Sequence, residues 1–167
     1  MKSTYHVLRI TYRGCALAQS GRSMIEMLGI LALAGVMAFG AFKLYQTLRA
    51  RQTRITAEME LSDIASNAKL LFRGRGDYSN ISLDYLVKAG AVPTNKSPIP
   101  NAELSVMSEE LGKKFAIRLD GLSYGDCAYF ATAKLDWAEF VRINGFTDNA
   151  KSFCYEIEKN RVEFIVE

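Results

Sequence analysis

Histidine is all but missing from this chain: its 167 residues contain one, His6. Acidic residues are missing from the first 21 positions, where Lys2, Arg9 and Arg13 stand without an Asp or Glu. Of the 21 Lys and Arg, 18 therefore lie beyond that segment, against 18 Asp and Glu, and the net charge of +3 belongs wholly to the N-terminal end. A charge-balanced body lacks the basic surface that a phosphate backbone requires, so no nucleic acid partner is expected. Without its first 21 residues the chain would contain no histidine, which excludes most Ser-His, Cys-His and His-metal chemistry. Neither a phosphate-binding glycine loop nor a dense carboxylate cluster is present, and Glu109-Glu110 beside Gly112 reads as a solvated turn. No catalytic residue, cofactor or metal is expected. The length allows one domain with a real core and is too short for two.

Cysteine is scarce too. Cys15 lies in the basic segment, while Cys127 and Cys154 lie far downstream, so loss of that segment turns an odd count into a pair. Pairs suit an oxidising compartment. A bridge between Cys127 and Cys154 would enclose 26 residues and contribute roughly 3.5 kcal/mol by loop entropy; two separate buried thiols are the alternative.

What the chain does have is a long apolar run. Met24 to Phe42 is nineteen residues with one charge, Glu26, and reaches most of the way across a bilayer. Its uninterrupted part, Met27 to Phe42, is sixteen residues, which also brings in the core of a secretory signal. An ordinary signal places positive charge before the core and ends in a small-residue cleavage site; here an acid intrudes and the helical pattern runs on through Leu44, Leu48, Ile55 and Met59. A lipoprotein signal fails because Tyr12, Arg13 and Gly14, not an apolar stretch, precede Cys15. A plain single-span anchor accounts for the hydrophobicity but not for Glu26, since a carboxylate in lipid costs several kcal/mol unless it is neutralised or paired. Charge does not orient the span: Lys2, Arg9, Arg13 and Arg22 precede it, and Lys43, Arg49, Arg51 and Arg54 follow it.

The run Ser20-Gly21-Arg22-Ser23-Met24-Ile25-Glu26-Met27-Leu28 resembles the prepilin cleavage motif of type IV pilins: a glycine, a cut, and glutamate as fifth residue of the mature chain at the head of an apolar helix. The resemblance implies removal of a leader, residues 1–21, by a membrane prepilin peptidase between Gly21 and Arg22, and N-methylation of Arg22. It also implies that Glu26 pairs with the terminal amine of a neighbouring copy. Each charge then relieves the other's desolvation cost. Two departures from the family pattern are Arg22, where an apolar residue is usual, and the lack of proline in the apolar helix, which implies a smaller bend.

Helical periodicity continues to about Phe72, a helix of roughly fifty residues or about 75 Å. Its second half shows two apolar stripes: Leu44, Leu48, Ile55 and Met59, then Leu61, Ala65, Ala68 and Phe72 turned by about a third of a circle. A change of face suggests two partners, first other subunits and then the protein's own sheet; one irregular core stripe is the alternative. Between them lie Arg49, Arg51 and Arg54, then Glu58, Glu60 and Asp63. These charges either pair between staggered copies or form a solvated face with i,i+4 pairs such as Arg54 with Glu58, worth a few tenths of a kcal/mol.

Beyond the helix, Gly74 and Gly76 end the periodicity and residues 73–101 read as a connecting loop. Within it Ser82 caps a short helix from Leu83 to Ala89 that Gly90 closes. Arg75-Gly76-Asp77 spells an adhesive tripeptide, with Gly76 as turn chemistry the competing reading. Residues 102–167 read as a sheet region: Glu103 to Met107 and Lys114 to Leu119 as a hairpin, a helix from Cys127 to about Leu135 capped by Asp126, then strands at Glu139 to Ile143, Cys154 to Ile157 and Arg161 to Val166. The fold class is α+β, a long N-terminal helix, 22–72, on a mostly antiparallel sheet.

The long leader, the proline-free apolar helix, the Gly-Ala-Val-Pro at 90–93 and the two downstream cysteines together look like type IVb, bundle-forming pilins. That resemblance implies a structural subunit, not an enzyme. It would be held in the inner membrane as a precursor, then polymerised by the inner-membrane pilus machinery with copies of itself or related pilins into an extracellular fibre for adhesion, aggregation, DNA uptake or motility. A pseudopilin of a secretion system and a membrane-anchored periplasmic enzyme or binding module are the alternatives.

Overall fold

The structure, a computed structural model, describes residues 24–147, 153–157 and 159–167. It divides into two units, the first ending at Leu44 and the second running from Tyr45 to Glu167; one helix, α1 (Met24–Phe72), runs through the boundary. In the first unit the described residues are helix throughout and exposed throughout. Leu, Ala and Met dominate this stretch, no proline removes a backbone donor, and the helix is long and apolar enough to cross a membrane.

The second unit contains the rest of α1, α2 (Leu83–Lys88), β1 (Glu103–Glu109), β2 (Lys114–Leu122), α3 (Tyr124–Thr132), β3 (Phe140–Ile143) and β4 (Asn160–Val166). The four strands form one antiparallel sheet in the order β1-β2-β4-β3. The C-terminal strand thus sits in the middle, and the hairpin β1–β2 pairs as the alternation of its residues predicts. Strand period two sends Phe115, Ile117, Leu119, Val162, Phe164 and Val166 to the face that shares a core with Ala57, Leu61, Ile64, Ala65, Ala68 and Phe72 of α1. Leu44, Leu48, Ile55 and Met59 are exposed, so the helix does change face, and the second stripe is the one that meets the protein's own sheet.

Two expectations are corrected. The third helix starts at Tyr124, three residues early, because Ser123 and not Asp126 is its N-cap: the Ser123 hydroxyl accepts the Asp126 N–H at 3.2 Å and donates to the Asp126 carboxylate. It ends at Thr132 instead of about Leu135. The segment 154–157 is irregular, not a strand. Its backbone is met by a side chain: buried Asn160 accepts the Tyr155 N–H at 2.7 Å and donates to the Tyr155 carbonyl at 2.9 Å, which removes the need for a ladder partner.

Candidate assembly site

Gly21 and Arg22 lie outside the described residues. Glu26 stands in the first turn of α1, exposed and the one ionisable side chain between Met24 and Phe42. All of the large apolar side chains that follow it in the span are exposed too, including Leu28, Leu31, Val36, Phe39 and Phe42. Such a surface requires lipid or another apolar surface over it, because water solvates it at a cost of about 25 cal/mol per Å². The exposed stripe Leu48, Ile55 and Met59 extends the same demand along the second unit's part of the helix.

The charge block of α1 is used differently from the expected Arg54–Glu58 pair. Arg54 reaches across to Asp126 of α3 at 2.8 Å, and Glu58 accepts the Tyr129 hydroxyl at 2.8 Å. Gly125 lets the arginine in, since a Cβ there would lie 2.8 Å from Arg54 Nη2. The hydrogen bond to Glu58, then burial, raises the Tyr129 pKa above 10.0. These contacts fasten α3, and with it the first cysteine of the bridge, to α1.

The structure joins Cys127, buried in α3, to half-buried Cys154, with Cα atoms 5.9 Å apart. Beside the bridge, Asn144 and Asn160 form a polar clamp that sequence reasoning missed: the Asn144 amide donates to the Phe153 carbonyl at 2.8 Å and to Asn160 Oδ1 at 3.1 Å. The signal available was only the turn propensity of Asn144-Gly145 and Lys159-Asn160, which says nothing of a mutual bond.

On the sheet face away from α1, register aligns Arg118 of β2, Glu163 of β4 and Arg142 of β3. Glu163 is 3% exposed, with Arg118 Nε at 2.7 Å and Arg142 Nη1 at 2.9 Å, and Arg142 also lies 3.5 Å from Glu109. Burial alone lowers the Arg142 pKa, but the bond and charge of Glu163, with Glu109, outweigh it and the net shift is upward. Glu109 is therefore not wholly solvated. The Arg75-Gly76-Asp77 tripeptide is likewise engaged internally: the Arg75 guanidinium lies over the Phe72 and Tyr85 rings, donates to the Tyr85 hydroxyl at 2.6 Å, and Asp77 accepts the Ser79 N–H at 3.3 Å. Gly76 has φ 77°, which makes it turn chemistry. Among the described residues no three His, Cys, Asp or Glu side chains gather as metal ligands would.

No family model matches the chain. It is 24% identical over 139 residues to the toxin coregulated pilin of Vibrio cholerae, a match that covers 75% of this chain and 62% of that protein. The chain thus spans about three fifths of the length of the curated relative it matches. Its structure superposes on the crystal structure of TcpA, a type IV pilin from the Vibrio cholerae El Tor biotype, with a TM-score of 0.57 and 16% identity, covering 70% of this chain and 99% of that one. The chain is thus similar in sequence to a pilin and shares the α+β fold of a type IV pilin.

Proposed function

We propose that this chain is the structural subunit of a type IVb-like pilus and performs no catalysis. The observation that carries the reading is the first unit: a helix exposed at every described residue, apolar from Met27 to Phe42, with Glu26 at its head. In the inner membrane lipid covers it; in a fibre the same surface is covered by copies of itself. A leader of residues 1–21 is removed by prepilin peptidase between Gly21 and Arg22, the new amine of Arg22 is methylated, and the inner-membrane pilus machinery draws the subunit out of the bilayer. Glu26 of one copy then meets the Arg22 amine of another, and two charges that are each costly in hydrocarbon become one neutral pair. Arg54–Asp126 and the Cys127–Cys154 bridge keep the outward-facing body folded outside the cell.

The test is processing. N-terminal sequencing of the chain isolated from its native host is expected to begin at Arg22, with Gly21→Ala leaving the full-length precursor in the membrane. A mature chain that begins at Met1 would sink the reading.

A further inference from the structure

The β1–β2 turn holds a leucine where neither its side chain nor its backbone is comfortable. Leu111 is 100% exposed, and its backbone is left-handed, φ 57°, as are Glu110 before it, φ 48°, and Gly112 after it, φ 90°. That region favours glycine and asparagine and is a steric outlier for a bulky residue. The turn is also pinned from behind. The Gly112 carbonyl accepts the Tyr78 N–H at 2.8 Å, and a Cβ at Gly112 would clash with Ser79 Oγ and lie 3.2 Å from Ser79 N. Reversing the chain does not require leucine at this place, and strain held fixed at an exposed apolar side chain points to a contact outside the monomer.

A small cleft lies on different residues of the same unit. Ile64 of α1 with Val92 and Pro93 after α2 line a cleft of about 170 Å³, and Glu60, Asp63 and Lys96 line it as well. The Asn67 amide donates to the Ala91 carbonyl at 2.8 Å and braces its two sides. The cleft shares no residue with the turn or with the Tyr78–Ser79 support. Glu60 and Asp63 outnumber Lys96 and leave the cleft acidic, which complements Lys113, two positions from Leu111, while Glu110 beside Leu111 is answered by Lys114 at 3.5 Å. A knob and a hole on separate parts of one chain make a heterologous contact, which need not close on itself and extends as a helical array.

We propose that Leu111 of one copy docks in the Ile64–Val92–Pro93 cleft of the next, with Lys113 facing Glu60 and Asp63. This deepens the pilus-subunit reading and rests on it. The experiment uses the full-length chain in its native host. Leu111→Asp is expected to cut the mass of sheared fibre about tenfold, while Leu111→Met keeps it, and Lys113→Glu is expected to reduce it and to be rescued by Glu60→Lys in the same chain. The chain carrying Leu111→Cys with Thr94→Cys, a residue lining the cleft, is expected to give a ladder of crosslinked copies when assembled fibres are oxidised, and either cysteine alone none. The cysteine pair keeps the test independent of any folding defect in Leu111→Asp. Intact fibres that give no ladder, or Leu111→Asp fibres at wild-type mass, overturn the docking contact. Failure of the unaltered chain to enter fibres at all overturns the pilus-subunit reading instead.

Discussion

At the scale of single residues, the body is held by polar groups whose partners come from distant parts of the chain. Glu163 is the sharpest case. Its two arginines, Arg118 and Arg142, sit on the two strands that flank β4, at the register of Glu163, and one carboxylate answers both. Glu163→Gln keeps the shape but takes the carboxylate from Arg118 and leaves Arg142 only Glu109, at 3.5 Å. Removing one member of a fully buried ion pair costs roughly 3–5 kcal/mol; here each arginine side chain keeps about a quarter of its surface in water, so the expected loss is smaller, about 2 kcal/mol. Denaturant titration of the full chain in detergent, compared with the unaltered protein at the same pH, measures it. An unchanged midpoint would mean that solvent already screens the cluster. None of this was legible beforehand, because alternation places Arg118, Arg142 and Glu163 on one face of their strands but cannot say which strands are neighbours.

At the scale of elements, the joint between α1 and α3 carries a pH signature. Tyr129 holds its proton above its ordinary range through the bond to Glu58. A group whose folded pKa is raised contributes stability that is fully present below the unfolded value of 10.0 and is lost as pH rises through the folded value. The thermal midpoint of the unaltered chain is therefore expected to fall above pH 10 more steeply than that of Tyr129→Phe, scanned in parallel. Tyr78, raised by burial, and Lys114, raised chiefly by its bond to Glu139, titrate in the same direction, so the variant keeps a residual slope. Equal slopes would remove Glu58–Tyr129 as a working contact. The elements themselves were largely readable. Phe72 marks the end of α1, the hairpin registers as its alternation requires, and the switch of apolar face along the helix separates the exposed Leu48, Ile55 and Met59 from the buried Leu61, Ala65, Ala68 and Phe72. The start of α3 was readable too, had Ser123 and Asp126 been taken together as a reciprocal cap instead of Asp126 alone. The region around Cys154 was not, since residues 154–157 carry a strand's composition while a single side chain, Asn160, takes up both backbone groups of Tyr155 from outside.

At the scale of the whole molecule, the two units make opposite demands, and the proposed fibre would satisfy both. The second unit buries its own core and stands as a folded body; the first buries nothing of itself. Lipid alone covers the helix from Met27 to Phe42 but gives Glu26 no counter-charge, whereas the fibre proposed above would supply each Glu26 with an amine one subunit away. Charge and shape can be separated at this position. Glu26→Gln removes the negative charge while keeping size and hydrogen-bonding capacity, and it makes the segment easier to hold in a bilayer, so membrane insertion and the cut after Gly21 are expected to persist. Without the counter-charge, each neighbouring amine enters the apolar core unpaired, and that cost, several kcal/mol per subunit, repeats at every step of elongation. Cleaved Glu26→Gln chain is therefore expected to accumulate in the membrane fraction while the sheared fibre fraction falls by more than about tenfold, measured as the ratio of the two by immunoblot. A ratio equal to that of the unaltered chain would assign Glu26 to anchoring alone and leave apolar packing as the whole drive for polymerisation.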